Sequence, residues 1–200
     1  MDVQSFENLL RQLPVNFEDQ ILKFRRWEDR QRALLAKILL QRSLKFLDIN
    51  HYAIGQLKFT KYKRPYFDDR IDFNISHSGK YILCGISVDQ KVGLDIEEIK
   101  SIQLKDFNTQ FSEKELKSIG SSADKMYAFY NLWTQKESFL KAIGTGLQVS
   151  LKEIKISDHT IIWNNKHWYL HKINFEEKYI SHLCCDLEFP EIIMHEITIS

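Results

Sequence analysis

The sequence predicts an α+β fold in two modules, and three observations predict it. Hydrophobic residues recur at helical spacing in two long stretches, from Arg26 to about Leu47 and from Ala123 to Ile143. Each stretch is followed by short runs rich in β-branched and aromatic residues, bounded by turn residues. The order is therefore helix then strands, twice, with no residue-level repeat between the halves. A long helix packed on an antiparallel sheet in each module buries both kinds of apolar face. The pattern weakens from Glu98 to Thr109, so the expected division is 1–98 and 99–200.

Composition permits such a core. Of the 200 residues 44% are hydrophobic, and 13 Phe, 8 Tyr and 4 Trp supply bulk enough to dispense with disulfides. Cys84, Cys184 and Cys185 have no metal-type spacing and leave an odd thiol, which predicts buried thiols in a reducing compartment. The balance of 28 basic against 27 acidic residues argues against a dedicated nucleic-acid binder. The start, Met1 to Leu10, has an early acid, and no run of about 20 apolar residues occurs. A cytoplasmic protein without membrane attachment is expected.

In the first module, residues 1–22 are mixed, with Pro14 breaking any early helix. The helix from Arg26 puts Leu34, Leu35, Ile38, Leu39 and Phe46 on one broad face. Asp48 to Gly55 is a connection. Strands are expected at Gln56–Thr60, Ile71–Ile75, Tyr81–Val88 and Val92–Glu97. Asp89-Gln90-Lys91 reads as a tight turn that makes the last two a hairpin.

In the second module, Ser112 and Glu115 form a capping box that opens a short helix to about Ile119. Gly120 and two serines interrupt it. The central helix then runs to Ile143, where Gly144 is placed to stop it. Further strands are expected at Glu153–Ser157, Thr160–Trp163, His167–Ile173, Tyr179–Leu187 and Ile192–Ile199, with a hairpin turn at Asn164-Asn165.

The central helix carries an anomaly. At about 100° per residue, Met126, Phe129, Tyr130 and Leu140 cluster around Trp133, and Glu137 and Lys136 fall inside that apolar arc. Asn131, Gln135, Ser138 and Ala142 take the opposite side. A carboxylate on a core-facing stripe needs a cation, because an isolated buried charge costs several kcal/mol or more. Lys136 and Lys141 on the same helix are one source; a metal ion is the other.

A second acidic feature bears on that choice. In Val92-Gly-Leu-Asp-Ile-Glu97 the apolar residues take one face, and Gly93, Asp95 and Glu97 the other. The carboxylates are about 7 Å apart along a strand, with Gly93 leaving room beside Asp95. A solvated strand face accounts for the pair. So does a Mg²⁺ ion, which takes one or two carboxylates and completes its shell with water and substrate phosphate.

Three segments then combine. Phe73-Asn-Ile-Ser-His-Ser-Gly79, Val92-Gly-Leu-Asp-Ile-Glu97 and Trp133-Thr-Gln-Lys-Glu-Ser-Phe-Leu-Lys141 resemble the signature blocks of the 4′-phosphopantetheinyl transferases, in order and at family-like spacing. Length and spacing resemble the Sfp-type branch, which implies a pseudo-dimer of two similar α+β modules and a monomer. The match is dense from about Arg64 to Leu147 and weaker outside.

The resemblance implies transfer of the phosphopantetheine arm of coenzyme A to a serine of an apo carrier protein. Adenosine 3′,5′-bisphosphate leaves, and Mg²⁺ sits on the pyrophosphate. It implies Asp95, Glu97 and Glu137 as metal ligands, Lys141 at the pyrophosphate, and Ser76 with His77 at a coenzyme A phosphate; Lys136, on the same helix, is a further phosphate contact by its charge beside a metal. Glu115 matches a glutamate proposed as base, although the capping box already accounts for it. Lys23, Arg26 and Arg32 match nucleotide and 3′-phosphate contacts in a basic run that a solvated helix face also explains. Two departures stand out: Arg64-Pro65 replaces the common Lys-Pro, and Ala33 replaces a hydroxyl residue of some relatives. Phe107 or Phe111 is the expected carrier-docking residue. A binding protein without turnover, and a metal-dependent hydrolase, are the rival readings.

Overall fold

The computed structural model describes residues 1–199, the side chain of Leu147 excepted. It is α+β and forms two compact units. One comprises residues 1–69 and the described residues from Glu191 onward; the other comprises Arg70–Pro190. The boundary expected after residue 98 lies inside the second unit, for a reason its strand pairing supplies.

The first unit opens with α1 (Val3–Leu10), α2 (Val15–Leu22) and α3 (Trp27–Phe46). Asp2 caps α1, its Oδ1 accepting from the Ser5 amide at 2.8 Å. Pro14 breaks the first helix as expected and then serves as the N-cap of a second one. Periodicity alone had not revealed either helix, because each spans only eight residues. Phe6, Leu9, Phe17 and Ile21 close a core with Leu34 and Ile38 of α3. Further along α3 the buried positions are Leu40 and Leu44. Phe46, expected on the same face, is 56% exposed, with its ring against that of His195.

The strand expected at Gln56–Thr60 shrinks to β1 (Lys58–Phe59), paired antiparallel with β2 (Pro65–Tyr66). Ile192–Ile199, also expected as a strand, adopts no regular structure. It runs along the first unit, with Thr198 O accepting from Arg42 and Ile199 against the core.

The second unit holds β3 (Ile71–Ser78), β4 (Tyr81–Val88), β5 (Val92–Glu98), α4 (Glu113–Ser121), α5 (Lys125–Ile143), β6 (Thr160–Trp163), β7 (Lys166–Ile173) and β8 (Tyr179–Cys185). Its main sheet is antiparallel, in the order β5-β8-β7-β6, while β3 and β4 form a separate hairpin. The expected β4–β5 hairpin is therefore not formed. One edge of β5 pairs with β8 from Val92 to Glu98, which draws residues 70–98 into this unit.

Side chains occupy the other edge. The amides of Val92, Leu94, Ile96 and Glu98 donate to Asp72, Asn74, Ser76 and Ser78 of β3, at 2.8, 3.0, 3.3 and 3.0 Å. Alternate polar residues of β3 thus replace a strand's carbonyls, satisfying donors that burial would otherwise penalise.

Turn chemistry behaves as the sequence predicts at Asn164-Asn165 (φ 51° and 60°) and at Gly144, whose φ of 68° suits a left-handed cap to α5. Glu153–Ser157 is not a strand: a 3₁₀ turn at Leu151–Glu153 precedes a single bridge from Ser157 to Thr160.

Helix α5 packs on β5 and β8 and is buried on more sides than a surface helix. Gln135, Ser138 and Ala142, expected on a polar side, are all buried. The close approach explains Gly93. A Cβ there would collide with the Ser138 carbonyl oxygen and the Ala142 backbone. Gly93 makes room for the helix rather than for a ligand beside Asp95.

Candidate active site

The crossing of α5 with β5, and the side-chain seam between β5 and β3, bring three distant segments around one cavity of about 280 Å³. Ile75, Ser76 and His77 come from β3, Asp95 and Glu97 from β5, and Trp133, Glu137 and Lys141 from α5. Glu137 and Lys141 share a face because they are one helical turn apart. Asp95 and Glu97 share a face because they are two residues apart on a strand.

Asp95 lies deepest, only 4% exposed. Its Oδ1 accepts from Lys141 Nζ at 2.6 Å and from Ser76 Oγ at 3.0 Å. Lys141 Nζ also donates to Ser76 Oγ at 2.9 Å. Oδ2 of Asp95 is buried with no hydrogen-bond partner among the described residues. Burial pushes the Asp95 carboxyl above its usual range, and the Lys141 ammonium offsets only part of that.

Glu97 accepts from Ser78 Oγ at 2.8 Å. Burial raises its pKa; the Ser78 hydrogen bond opposes the rise, and the Asp95 charge adds to it. Glu137 is half-buried and is raised by burial, then by Asp95 and Glu97, with Lys141 opposing. The cavity thus holds three carboxylates, two of them raised partly by their neighbours, against one ammonium.

The chemistry of these donors fits a hard dication. Carboxylate oxygens line one cavity, and one of them is buried with no partner among the described residues. Among the described residues no three His, Cys, Asp or Glu side chains are gathered tightly enough to hold an ion as they stand.

Two expected site residues have other roles. Lys136 is wholly buried; its Nζ donates to Leu151 O at 2.8 Å and pairs with Glu115 Oε1 at 2.7 Å. It does not line the cavity, and burial lowers its pKa, with Glu115 opposing. Glu115 accepts from both the amide and the hydroxyl of Ser112 through Oε2, at 2.8 and 2.9 Å. With both oxygens engaged and no place on the cavity, Glu115 caps α4 and ties it to α5; it is not positioned as a base. Phe111 is 1% exposed and packs with Phe129, while Phe107 lies edge-on to Phe129 and Trp133. The expected docking residues belong to core packing that backs Trp133.

Lys23, Arg26, Arg32 and Arg64 belong to the first unit. Lys23 and Arg26 are exposed, Arg26 only loosely paired with Glu28 at 3.8 Å. Arg32 pairs with Asp29 at 2.8 Å, and Arg64 lies in the turn before β2, its amide donating to Thr60 Oγ1 at 3.1 Å. Their expected roles rest on sequence resemblance alone.

Sequence reasoning missed Ser78, which holds Glu97, and the buried His182. Thr134 Oγ1 donates to Tyr130 O, so His182 Nδ1 is the donor to Thr134 Oγ1 at 2.8 Å. The polar alternation Asp72, Asn74, Ser76, Ser78 was the available signal for the first; nothing local marks the second. A larger cavity of about 510 Å³, lined by Tyr127, Lys172, Asn174, Phe175, Glu176, Glu177 and Tyr179, contains none of the expected residues. Two of its polar groups are spoken for: Lys172 donates to the Tyr127 hydroxyl, and Glu176 accepts from Tyr81.

Cavity and sequence blocks together mark the class of protein, and comparison with known families gives the same class. A model of the 4′-phosphopantetheinyl transferase superfamily matches residues 91–187, and a model of the N-terminal region of 4′-phosphopantetheinyl transferases matches residues 2–88. The chain belongs to the 4′-phosphopantetheinyl transferase family. More particularly, it is similar to Sfp-type members. It is 35% identical to the 4′-phosphopantetheinyl transferase gsp of Aneurinibacillus migulanus, over 64% of this chain and 55% of that one. It is 32% identical to the 4′-phosphopantetheinyl transferase Sfp of Bacillus subtilis (strain 168), over 68% of this chain and 62% of that one. A 39% identity covers 42% of this chain and 31% of the L-aminoadipate-semialdehyde dehydrogenase-phosphopantetheinyl transferase of Xenopus laevis. The chain thus spans little more than half the length of the first two relatives.

Proposed function

We propose that this chain transfers the 4′-phosphopantetheine arm of coenzyme A to a serine of an apo carrier protein, with Mg²⁺ on the pyrophosphate. One observation carries the reading: residues of all three family-like blocks line a single cavity. Asp95, Glu97 and Glu137 would hold the Mg²⁺, and Asp95 Oδ2 is the buried oxygen most in need of it. Bound there, Mg²⁺ supplies charge neutralisation for the pyrophosphate oxygens.

Lys141 offers an ammonium to the same oxygens, and Ser76 and His77 of β3 line the same cavity, where they would hold a phosphate. The carrier serine oxygen forms a bond to the β-phosphorus, and the bond from that phosphorus to the bridging oxygen breaks. Glu137 accepts the serine proton. It is the cavity carboxylate whose side chain has no hydrogen bond to a described residue, which leaves an oxygen open to the serine hydroxyl. Adenosine 3′,5′-bisphosphate departs with the bridging oxygen. Positioning and charge neutralisation carry such a transfer.

Incubation with coenzyme A, Mg²⁺ and an apo carrier, followed by intact mass, tests the reading. The expected result is one phosphopantetheine adduct that depends on Mg²⁺. No adduct across a panel of fatty-acid, polyketide and nonribosomal-peptide carriers overturns it; product release from coenzyme A without a carrier favours a hydrolase instead. A monomer in a reducing, cytoplasmic setting belongs to the same proposal. In support, no disulfide joins Cys84, Cys184 or Cys185, and no helix among the described residues is long and apolar enough to cross a membrane.

A further inference from the structure

The Lys141 ammonium is bonded to the carboxylate that matters most for a metal. Its Nζ lies 2.6 Å from Asp95 Oδ1 and 2.9 Å from Ser76 Oγ. Ser76 Oγ also donates to Asp95 Oδ1 and accepts the Ile96 amide at 3.3 Å. The ammonium is thus fixed in a buried polar network, not left waving at the cavity mouth. Among the described residues it is the one lysine lining the cavity, where it faces three carboxylates.

A dication that uses Asp95 meets two obstacles. It must take Oδ1 from Lys141, or it must use Oδ2 of the same carboxylate with the ammonium still attached on the other side. Either the ammonium loses its partner, or two cations share one carboxylate in a poorly solvated place, where like charges repel strongly. An incoming pyrophosphate removes both obstacles, because it gives the ammonium an anion of higher charge to pair with.

We propose that Lys141 is a built-in counter-ion that keeps the metal site weak until coenzyme A arrives, so that metal and coenzyme A bind interdependently. This inference rests on the metal reading above and adds a binding order to it. Coupling of this kind is reciprocal: whatever coenzyme A does for the metal, the metal does for coenzyme A. The consequence is economy of specificity. The chain alone does not sequester divalent ions, and the charged site assembles only around its substrate.

The test measures Mn²⁺ binding to the whole chain without coenzyme A, by the loss of free-ion signal in electron paramagnetic resonance. Lys141→Gln retains a hydrogen-bond donor without the charge; Lys141→Met removes both; Lys141→Arg keeps the charge. Circular dichroism checks that each is folded. The expected result is that Mn²⁺ alone binds the Gln and Met variants about 10-fold more tightly than wild type, with the Arg variant like wild type. Adding coenzyme A then tightens Mn²⁺ binding less in the neutral variants than in wild type. Equal or weaker Mn²⁺ affinity in the neutral variants overturns the counter-ion role and leaves the metal reading standing. No Mn²⁺ binding to wild type, with or without coenzyme A, overturns both.

Discussion

At the scale of single residues, environment separates acids that look alike in sequence. Glu115 and Glu137 are both helix glutamates, yet one is held by a serine and a lysine and the other has no hydrogen-bond partner among the described residues. On the proposed roles of proton acceptor and ligand, Glu137→Gln should lower transfer activity by about 100-fold or more. The same substitution should leave the metal-free melting temperature at pH 7 equal to or above wild type, because it removes a charge that burial and two carboxylates disfavour. Mass-based turnover and thermal melts check the two halves; a lower melting temperature with full activity contradicts the assignment. His182 makes a second residue-scale prediction. Burial, aided by Lys172 and His159, lowers its pKa to about 3 from an ordinary 6.5. A group with a depressed basic pKa is held neutral, so its contribution is complete above pH 6.5 and is lost as pH falls toward 3. The loss is about 1.4 kcal/mol per pH unit, or roughly 2 kcal/mol between pH 6.5 and 5. Urea titrations at pH 7 and pH 5 should show that drop in wild type and a smaller one in His182→Gln.

Elements are positioned by backbone contact and by one buried ion pair. Gly93 lets β5 touch α5. Gly93→Ala should therefore cost about 3 kcal/mol or more, since the obstacle is backbone that cannot rotate away. A chemical melt decides it; a change under 1 kcal/mol would mean the two elements are not in register as described. The Lys136–Glu115 pair joins α5 to α4. Removing one partner of a buried pair costs on the order of 3–5 kcal/mol, whereas replacing both can be nearly neutral. Lys136→Met alone should thus destabilise more than Lys136→Met with Glu115→Gln. The KM for coenzyme A should hold in the folded double variant, an outcome that a phosphate-binding Lys136 would not allow. Capping residues, strand alternation and the Asn-Asn turn were legible locally because each depends on neighbours within a few residues. Which strands pair was not. The short Asp89–Lys91 link suggested β4 with β5, but long-range pairing gives β5 to β8 and fills its other edge with β3 side chains.

At the scale of the whole molecule, the family and most of the residues that line the cavity were present in the order of residues. Asp95 and Glu97 share a face by strand periodicity, and Glu137 and Lys141 by helical periodicity, so the donor types and their pairing needed no coordinates. The two compact units, by contrast, follow from contacts between residues far apart in sequence, and the sequence placed the division at a local weakening of pattern instead. The same distinction separates the lysines. Both lie on α5, and both were reasonable phosphate contacts by position. Only packing decided that Lys136 is enclosed beside Phe111 and Leu151 while Lys141 opens onto the cavity and holds Asp95. What the sequence by itself determined is what repeats over a few residues: the long helices and most strands, caps, the Asn-Asn turn and the residue types that line the cavity. What only the tertiary structure decided is which charge meets which. Burial and ion pairing are set by neighbours brought together across the chain, and no local pattern encodes them.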